Sequence, residues 1–368
     1  MQITPVTSHR DFKEFINLPA SLHQEHRLWV LPLYQDEWRY FDFKRNRQAR
    51  GSETLLLLAR RRGQVVGRIL GIVSHRANRV QEEKNGRFAF LECIPDAEVA
   101  GGLLNQVENW TRGFGMENLI GPKGFSNTDP AGYMIAGFDN EPTLSTYYNF
   151  PYLVELLEGA GYVKHVDYVA YKIPMAIPEF YWKIHHRISR SGEFSVLEFS
   201  SRRALKQYIY PVLRMMNDTY RQHDGYVALT EPEMQELAKR FIPLLNPHFI
   251  KIVIREEKLV GFILGMPNIN HGLRKAGGRL FPLGIWHILR AARQSRQLDL
   301  FLGAIDDDYR GRGLDVLMGV AMYKSALEFG FEYIDSHLEL ETNTRVRGEM
   351  ERAGGVIYKR YRIFTKSL

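Results

Sequence analysis

The feature of the sequence that most constrains its fold is an internal repeat, in which one order of segments occurs twice. The turn and apolar strand at residues 62–71 recur at residues 257–265, where Gly67 aligns with Gly261. Downstream, each half has a helical segment that ends at a glycine before a strand, and then a second helix that leads into a closing strand. Because self-similarity along a chain is the signature of duplicated structural units, the sequence predicts two α/β domains of similar topology.

The boundary between these domains is predicted near Pro174 and Pro178, since a proline disfavours regular structure at its own position and at the one before it. The length agrees with two domains, because 368 residues exceed the roughly 100–200 residues of one ordinary domain. We therefore predict a first domain at residues 1–175 and a second domain at residues 176–368.

Composition and charge indicate a packed protein with local basic stretches. Hydrophobic residues make up 45% of the chain and charged residues 25%, which is typical of globular proteins. The net charge is only +7, yet residues 268–297 contain six cations and no acidic residue. A basic field attracts anions, so nucleic acid, phosphate-bearing cofactors and acidic membranes remain open beside a merely solvated surface.

Two insertions distinguish the halves. Residues 122–148 are rich in glycine, asparagine, proline and aromatic residues, and such a long loop either covers an acceptor pocket or is a structural elaboration. In the second half, we interpret residues 281–296 as a packed amphipathic helix; contact with acidic lipid or a cofactor phosphate is the alternative.

The sequence lacks the signals that several classes of protein require. No apolar stretch approaches the ~20 residues of a membrane span, and no basic start with an apolar run predicts a secretory signal, so we expect a cytoplasmic protein without a membrane span. The lone cysteine, Cys93, excludes an internal disulfide framework and a cysteine-based zinc site. Walker, dinucleotide and nucleic-acid motifs are missing, and the histidines lack metal spacing, so we expect no nucleic-acid partner and no metal.

The sharpest motif is a glycine-rich turn at residues 306–314, between a predicted strand and a predicted helix. Gly311 and Gly313 allow positive φ and a close approach of the backbone to a ligand. The first amides of the helix and the positive end of its dipole form an anion site, to which Arg310 and Arg312 add charge. The turn predicts a pyrophosphate site, and a basic strand–helix connection is the alternative.

With this turn the chain resembles the GNAT superfamily, the acyl-coenzyme A-dependent N-acyltransferases. Their pyrophosphate turn reads Arg/Gln-x-x-Gly-x-Gly/Ala; Arg310 and Gly313 match its first two fixed positions, and Asp315 departs from the third. The resemblance implies an α/β fold of two tandem GNAT-like domains, each a mostly antiparallel sheet flanked by helices, whose central strands splay apart to admit the pantetheine arm. It implies acetyl-CoA or another acyl-CoA as co-substrate. The cofactor-binding residues implied are Ile305, Arg310, Gly311, Arg312, Gly313, Leu314 and Asn343.

The first half resembles the same fold without the phosphate turn. Its corresponding stretch, residues 91–102, contains no basic glycine turn. We therefore expect a degenerate cofactor site in residues 1–175 and the acyl-CoA pyrophosphate turn in residues 176–368.

Acyl transfer to an amine needs a base, and an alternating strand at residues 333–341 supplies candidates. Its acidic side chains share one face, and Glu339 and Glu341 fall nearest the expected splay. The place of the family's usual general acid, a tyrosine, holds Met350, which cannot donate a proton, so Tyr358 is a candidate replacement. The alternatives are solvated strand-end charges for the two glutamates and a core or rim position for Tyr358.

Three functions remain open from the sequence. The first is an acyl-CoA-dependent N-acyltransferase, an acetyltransferase in its simplest form, that acts on a small-molecule or peptide amine. The second is a non-catalytic acyl-CoA-binding or regulatory protein, which Met350 and Asp315 favour. The third is an aminoacyl-transferase of tandem GNAT-like architecture, which would need a larger basic groove. The sequence identifies neither the acceptor, nor the acyl chain length, nor the oligomeric state.

Overall fold

The structure is a computed structural model that describes residues 1–126, 128–143, 145–221, 226–242 and 245–368. The chain forms two compact units. Unit 1 comprises Met1–Val169, Asn270–Arg290 and Tyr358–Leu368, and unit 2 comprises Ala170–Ile269 and Ala291–Ile357.

The two units are not the contiguous halves at residues 1–175 and 176–368 that the repeat suggests, because closing segments are exchanged between them. The last strand of the chain pairs within unit 1, where Phe364 lies opposite Gly121. The last residues of the first half pair within unit 2, where Pro174 lies opposite Tyr333. A repeat shows that each half ends in a strand, but the partner of that strand is chosen by tertiary contacts.

Unit 1 is a mixed sheet with helices packed on it. Its strands are β1 (Gln2–Pro5), β2 (Ser52–Arg61), β3 (Gln64–Ser74), β4 (Asn85–Cys93), β5 (Asn118–Gly121), β6 (Tyr133–Ala136), the first part of β7 (Val163–Pro174) and nearly all of β14 (Val356–Ser367). Its helices are α1 (His9–Leu22), α2 (Tyr34–Phe41), α3 (His75–Gln81), α4 (Ala97–Arg112), α5 (Pro151–Gly159), α10 (Asn270–Ala276) and the first part of α11 (Gly284–Gln294). The order β1-β2-β3-β4-β5-β14 is antiparallel except between β4 and β5.

Unit 2 repeats this plan. Its further strands are β8 (Ser195–Leu197), β9 (Ile250–Arg255), β10 (Lys258–Pro267), β11 (Gln297–Ile305), β12 (Tyr333–Asp335) and β13 (Glu339–Leu340). Its helices are α6 (Glu179–Ser191), α7 (Arg202–Leu205), α8 (Ile209–Tyr220), α9 (Glu231–Phe241), α12 (Leu314–Glu328) and α13 (Thr344–Arg352). The order β7-β12-β11-β10-β9-β8 is antiparallel except between β11 and β12, and β13 pairs with β7. The predicted fold class, mostly antiparallel sheets flanked by helices, is confirmed.

Gly67, the glycine of β3 that aligns with Gly261 in the repeat, brings α4 close to β3. A Cβ atom on Gly67 would lie 2.9 Å from both Leu103 Cδ1 and Val99 Cγ1, and 3.1 Å from Cys93 Cβ. These neighbours are fully buried in one apolar cluster. Because protein cores are close-packed and adjust little, the small residue at position 67 sets the distance between helix and sheet.

Replacing this glycine tests the packing. We expect Gly67→Ala to lower the free energy of unfolding by about 1–3 kcal/mol through overpacking, as measured by urea denaturation. The matched control is Gly101→Ala on α4, where a new Cβ meets nothing within 4 Å. That control should be neutral or stabilise by up to about 1 kcal/mol. Equal losses in both variants would contradict this account.

Candidate active site

The glycine-rich turn lies between β11 and α12 of unit 2. β11 ends at Ile305, and a short 3-10 turn at Asp307–Tyr309 leads into the two glycines. Gly311 and Gly313 have φ of 77° and 83°, a region that other L residues disfavour. A Cβ atom on Gly313 would also lie 2.4 Å from Ile188 Cδ1 on α6. Backbone conformation and packing therefore both require glycine at position 313.

The first turn of α12 leaves its amides available. Gly313 is the N-cap residue and has no side chain that could accept their hydrogen bonds. The first helical bond runs from the amide of Leu317 to the carbonyl of Gly313 at 3.0 Å. Within the described part of the chain, no acceptor receives a hydrogen bond from the amides of residues 311–316. Free amides at the positive end of a helix dipole make an anion site.

The two arginines of the turn form exchangeable ion pairs. Arg310 Nη2 lies 2.5 Å from Asp307 Oδ1, and Arg312 Nη1 lies 3.0 Å from Glu193 Oε1. The arginine side chains are 34% and 46% exposed, and ion pairs this exposed contribute little to stability. A phosphate oxygen can therefore take the place of either carboxylate.

Further cations surround Tyr309. Arg312, Lys258 and Arg255 lie over its ring, 5.3, 5.4 and 5.7 Å from the centroid. With Arg310 these are four cations, and four carboxylates stand in the turn or in ion pairs with them: Glu193, Asp306, Asp307 and Asp308. The attraction of the turn for an anion thus depends on its free amides and exchangeable arginines more than on a net positive charge.

The equivalent helix of unit 1 has a different N-terminus. The side chain of Asp96 caps α4 and accepts hydrogen bonds from the amides of Glu98 and Val99, at 2.9 and 3.3 Å. Its other oxygen lies 2.7 Å from Arg61 Nη1. A carboxylate at this position uses the amides that a phosphate would need and repels a second anion.

The central strands of unit 2 separate beside the turn. β11 and β12 pair in parallel only from Gln297 opposite Tyr333 to Asp299 opposite Asp335. β12 ends there, whereas β11 continues to Ile305 while still paired with β10. β13, which follows, pairs with β7 instead of β11. The strand pairing of unit 2 therefore contains the splay that the GNAT resemblance implied.

The predicted continuous strand at residues 333–341 is wrong. His337 has φ of 63° and interrupts it between β12 and β13. The carboxylate of Asp335 is fully buried and accepts a hydrogen bond from the His337 amide at 2.7 Å, and the Ser336 amide donates to the carbonyl of Tyr171 on β7 at 3.0 Å. These bonds turn the chain from β11 toward β7, so simple alternation does not extend across the segment.

Three carboxylates interact beside the splay. Burial, and then the charge of Glu349, raises the pKa of Glu339 to about 8. Burial, and then the charge of Asp315, raises the pKa of Glu349 to about 7, while nearby arginines including Arg310 oppose the shift. Through Glu349 on α13, the base candidate on β13 is thus coupled electrostatically to the phosphate turn. Sequence reasoning missed Glu349, because it considered the strand and not the helix after it.

A phenol also faces this region. Tyr220, the last residue of α8, donates a hydrogen bond from its hydroxyl to the carbonyl of Gly303 at 2.9 Å, on the part of β11 beyond the splay. Burial, with a contribution from the charge of Glu339, raises the pKa of Tyr220 to about 12. Sequence reasoning missed Tyr220, since α8 lies far upstream of the motif and no local pattern connects the two.

Three further residues were predicted to bind the cofactor: Ile305, Leu314 and Asn343. Ile305 ends β11, and Leu314 begins α12 with its side chain fully buried, so only its backbone amide is available to a ligand. Asn343 caps α13, where its Oδ1 accepts a hydrogen bond from the Val346 amide at 3.3 Å. Its binding role stays a prediction.

The remaining two catalytic candidates are Glu341 and Tyr358. Glu341 follows β13, and its carbonyl accepts a hydrogen bond from Arg347 Nη1 at 2.9 Å. Tyr358 stands on β14 in the segment that belongs to unit 1. The cluster described here is therefore built within unit 2 without Tyr358.

Comparison with known proteins adds relatives that match along the whole chain. No family model matches the sequence. Bacterial ceramide synthase of Caulobacter vibrioides is 27% identical over 378 residues, which span 100% of this chain and 98% of that protein. Protein YghO of Escherichia coli is 24% identical over 370 residues, which span 97% of this chain and 93% of that protein.

Solved structures decide the fold. A tandem GNAT protein from the clavulanic acid biosynthesis pathway superposes with a TM-score of 0.56 at 11% identity, over 100% of this chain and 98% of that one. The chain has the tandem GNAT fold. A GCN5-related N-acetyltransferase from Sphaerobacter thermophilus gives a TM-score of 0.53 at 12% identity, over 99% and 95% of the two chains. The predicted resemblance to GNAT proteins is confirmed at the level of the fold.

Two further observations on the described residues concern metal ligands and membrane-spanning helices. Among them, no three or more histidine, cysteine, aspartate or glutamate side chains form a group able to hold a metal ion. None of the helices in this part of the chain has the length and apolar character needed to cross a bilayer.

The raised pKa of Glu339 predicts a pH-dependent stability. Between its ordinary value of 4.5 and about 8, the folded state holds a proton that the unfolded state has lost, so this carboxyl makes the protein less stable as pH rises through that window. We expect Glu339→Gln to raise the free energy of unfolding by about 1 kcal/mol or more at pH 8 relative to its effect at pH 5.

Urea denaturation at both pH values measures this difference. The matched control is Glu328→Gln, which replaces an exposed acid at the end of α12 and should have the same effect at pH 5 and pH 8. A Glu339→Gln effect that is also the same at both values would show that the carboxyl is not held in its neutral form.

Proposed function

We propose that this chain is an acyl-CoA-dependent N-acyltransferase whose unit 2 binds the acyl donor and whose acceptor is the amine of a long-chain amino alcohol. The observation that carries the proposal is the turn at residues 311–316, whose amides are free and lie beside Arg310 and Arg312. The full-length relative named bacterial ceramide synthase supports the acceptor, because a ceramide is a long-chain amino alcohol whose amine carries a fatty acyl group.

The donor side follows from the turn. The pyrophosphate of the acyl-CoA accepts hydrogen bonds from the amides of residues 311–316, and Arg310 and Arg312 exchange their carboxylate partners for its oxygens. The acyl thioester then extends toward the gap between β11 and β13. The sequence left the donor open as acetyl-CoA or another acyl-CoA; this proposal takes a fatty acyl-CoA, since the acyl group of a ceramide is a fatty acid.

The reaction joins the acyl carbon to the amine and releases a thiol. The amine lone pair attacks the thioester carbonyl, a carbon–nitrogen bond forms, and the carbon–sulfur bond breaks. Glu339 accepts the proton that the nitrogen loses, a task suited to a base whose pKa of about 8 lies near the working pH. Tyr220 donates a proton to the departing thiolate in place of the tyrosine that Met350 replaces.

Glu339 is preferred over the other catalytic candidates on its surroundings. It is partly buried and interacts with both Glu349 and Tyr220. Glu341 lies after β13, where its backbone carbonyl accepts a hydrogen bond from Arg347. Tyr358 belongs to unit 1. In this proposal neither Glu341 nor Tyr358 moves a proton.

The two units have different roles in this proposal. The uncapped α12 binds the donor, and the α4 N-terminus of unit 1, occupied by Asp96, binds no second acyl-CoA. Unit 1 is then a degenerate copy without a donor site. The cytoplasmic location and the lack of a nucleic-acid partner stay predictions.

A second candidate is an acyl-CoA-binding protein without catalysis. The observation that favours it is Met350 on α13, which stands where the family's general-acid tyrosine is expected and cannot donate a proton. The two candidates share the donor site and differ only in whether a thiol is released.

Calorimetry with a fatty acyl-CoA tests the donor site. We expect Arg310→Glu to weaken binding about tenfold or more, because it replaces an attractive charge by a repulsive one. The matched control is Arg203→Glu on α7, an exposed arginine of the same unit, which should bind as the wild type does. Equal affinity in the wild type and Arg310→Glu would refute the site.

Thiol release tests catalysis. With a fatty acyl-CoA and a long-chain amino alcohol, wild-type activity should rise with pH through about 8, where Glu339 loses its proton. Glu339→Gln should lower kcat about 10²–10⁴-fold with the KM for the acyl-CoA unchanged, whereas Glu328→Gln should retain activity. Donor binding without thiol release from the wild type would favour the non-catalytic candidate.

A further inference from the structure

A cluster of bulky apolar side chains lies exposed on unit 1, in the connection between α10 and α11 and along α11. We call residues 281–289 the apolar surface. Its exposed members are Phe281 (77%), Leu283 (62%), Ile285 (39%), Trp286 (55%) and Leu289 (54%). Single exposed apolar residues are ordinary, but a contiguous group of this size marks an interaction site.

The orientation of α11 produces this surface. Gly284 and Ile288, one turn apart, are buried, while Ile285, Trp286 and Leu289 are exposed. A helix packed by its apolar face would bury these three residues, so the interpretation of residues 281–296 as a packed amphipathic helix is wrong for this part. The helix uses a narrow stripe for packing and presents its wider apolar face outward.

The segment before α11 is held firmly to unit 1. The carbonyl of Gly278 accepts a hydrogen bond from the Tyr34 amide at 3.0 Å, and Arg274 forms an ion pair with Glu141. The amide of Ile285 donates to the carbonyl of Leu280 at 2.9 Å, which closes the turn into α11. The exposed side chains therefore stand on a structured base.

The charge around the apolar surface is of one sign. No acidic residue occurs between residues 268 and 297. Lys275, Arg279 and Arg290 are exposed, and none of the three forms an ion pair in the part of the chain that the structure describes. The Arg290 guanidinium lies over the Trp286 ring, 5.4 Å from its centroid. Cations thus border the apolar side chains.

We propose that the apolar surface docks on an anionic lipid bilayer. Aromatic and aliphatic side chains that protrude from a helix enter the boundary between headgroups and acyl chains, where an indole is favourably placed. The bordering cations attract the negative surface of the membrane and their aliphatic stems extend along it. A second copy of this chain is a poor occupant, because two such surfaces face to face would bring like charges together.

The inference that the protein docks on a bilayer depends only on the apolar surface. The role of this docking in catalysis rests on the proposed function. A long-chain amino alcohol and its acylated product both partition into membranes, since the transfer of each CH₂ group from water to an apolar environment is favourable. A peripheral enzyme that docks through residues 281–289 takes this acceptor from the bilayer and returns the product to it.

Sedimentation with vesicles tests docking on the full-length protein. We expect the wild type to bind vesicles of phosphatidylglycerol and phosphatidylcholine, and to bind pure phosphatidylcholine at least about tenfold more weakly. The double variant Trp286→Ser, Leu289→Gln should lose at least about tenfold in affinity for the anionic vesicles. The double variant Arg279→Gln, Arg290→Gln should lose most of the dependence on salt and on phosphatidylglycerol.

A matched control separates this surface from general hydrophobicity. Val80 and Val163, also in unit 1, are 58% and 62% exposed, and Val80→Gln, Val163→Gln should bind as the wild type does. Circular dichroism verifies that each variant is folded. The proposal would be overturned if the Trp286→Ser, Leu289→Gln variant bound anionic vesicles as tightly as the wild type, or if the control variant lost binding. It would also be overturned by a wild-type dimer, without vesicles, that the same apolar variant dissociates.

Activity with two acceptor forms separates docking from the proposed function. The apolar double variant should keep wild-type thiol release with a short-chain, water-soluble amino alcohol and lose about tenfold or more with a long-chain acceptor embedded in vesicles. Vesicle binding without any thiol release would leave docking in place and refute the proposed function. Thiol release without vesicle binding would leave the proposed function in place and refute docking.

Discussion

A buried hydrogen-bonded group at the end of the β11–β12 pairing fixes where the candidate site of unit 2 begins. Asp299 and Asp335 are paired across the two strands and are fully buried. The side-chain amide of Gln297 donates to both, at 2.6 and 3.4 Å, and its carbonyl accepts a hydrogen bond from the Tyr333 hydroxyl at 2.6 Å. Because buried carboxylates must keep such partners, the register here cannot shift by one residue. The opening of the strands, and with it the positions of the turn and of Glu339, follows from this fixed end.

The two units show how one fold gives two different helix N-termini. Both place a helix after a strand that pairs in parallel with its neighbour for three residues. In unit 2 the helix follows a glycine and its amides remain free; in unit 1 it follows Asp96, which occupies them. A difference of one residue at the N-cap therefore decides whether a helix of this fold has room for a phosphate.

The sequence predicted some parts of the candidate site and missed others. The turn at residues 306–314 was correctly placed between strand and helix, since the conformational preference of glycine acts over a few residues. Glu339 was chosen from an alternation that the structure breaks at His337, yet it lies beside the splay. Glu349 and Tyr220 were missed, because their relation to Glu339 arises from the packing of α13 and α8, which no local pattern encodes.

By itself the sequence determined the duplicated plan, the fold class and the positive φ of Gly311 and Gly313, all of which depend on near neighbours or on similarity within the chain. Only the tertiary structure decided which unit receives each closing strand, which face of α11 is exposed, and that burial raises the pKa of Glu339 to about 8. The physical reason is the same in each case. Strand pairing, exposure and desolvation are set by residues distant in the chain, and their identity is fixed only when the chain has folded.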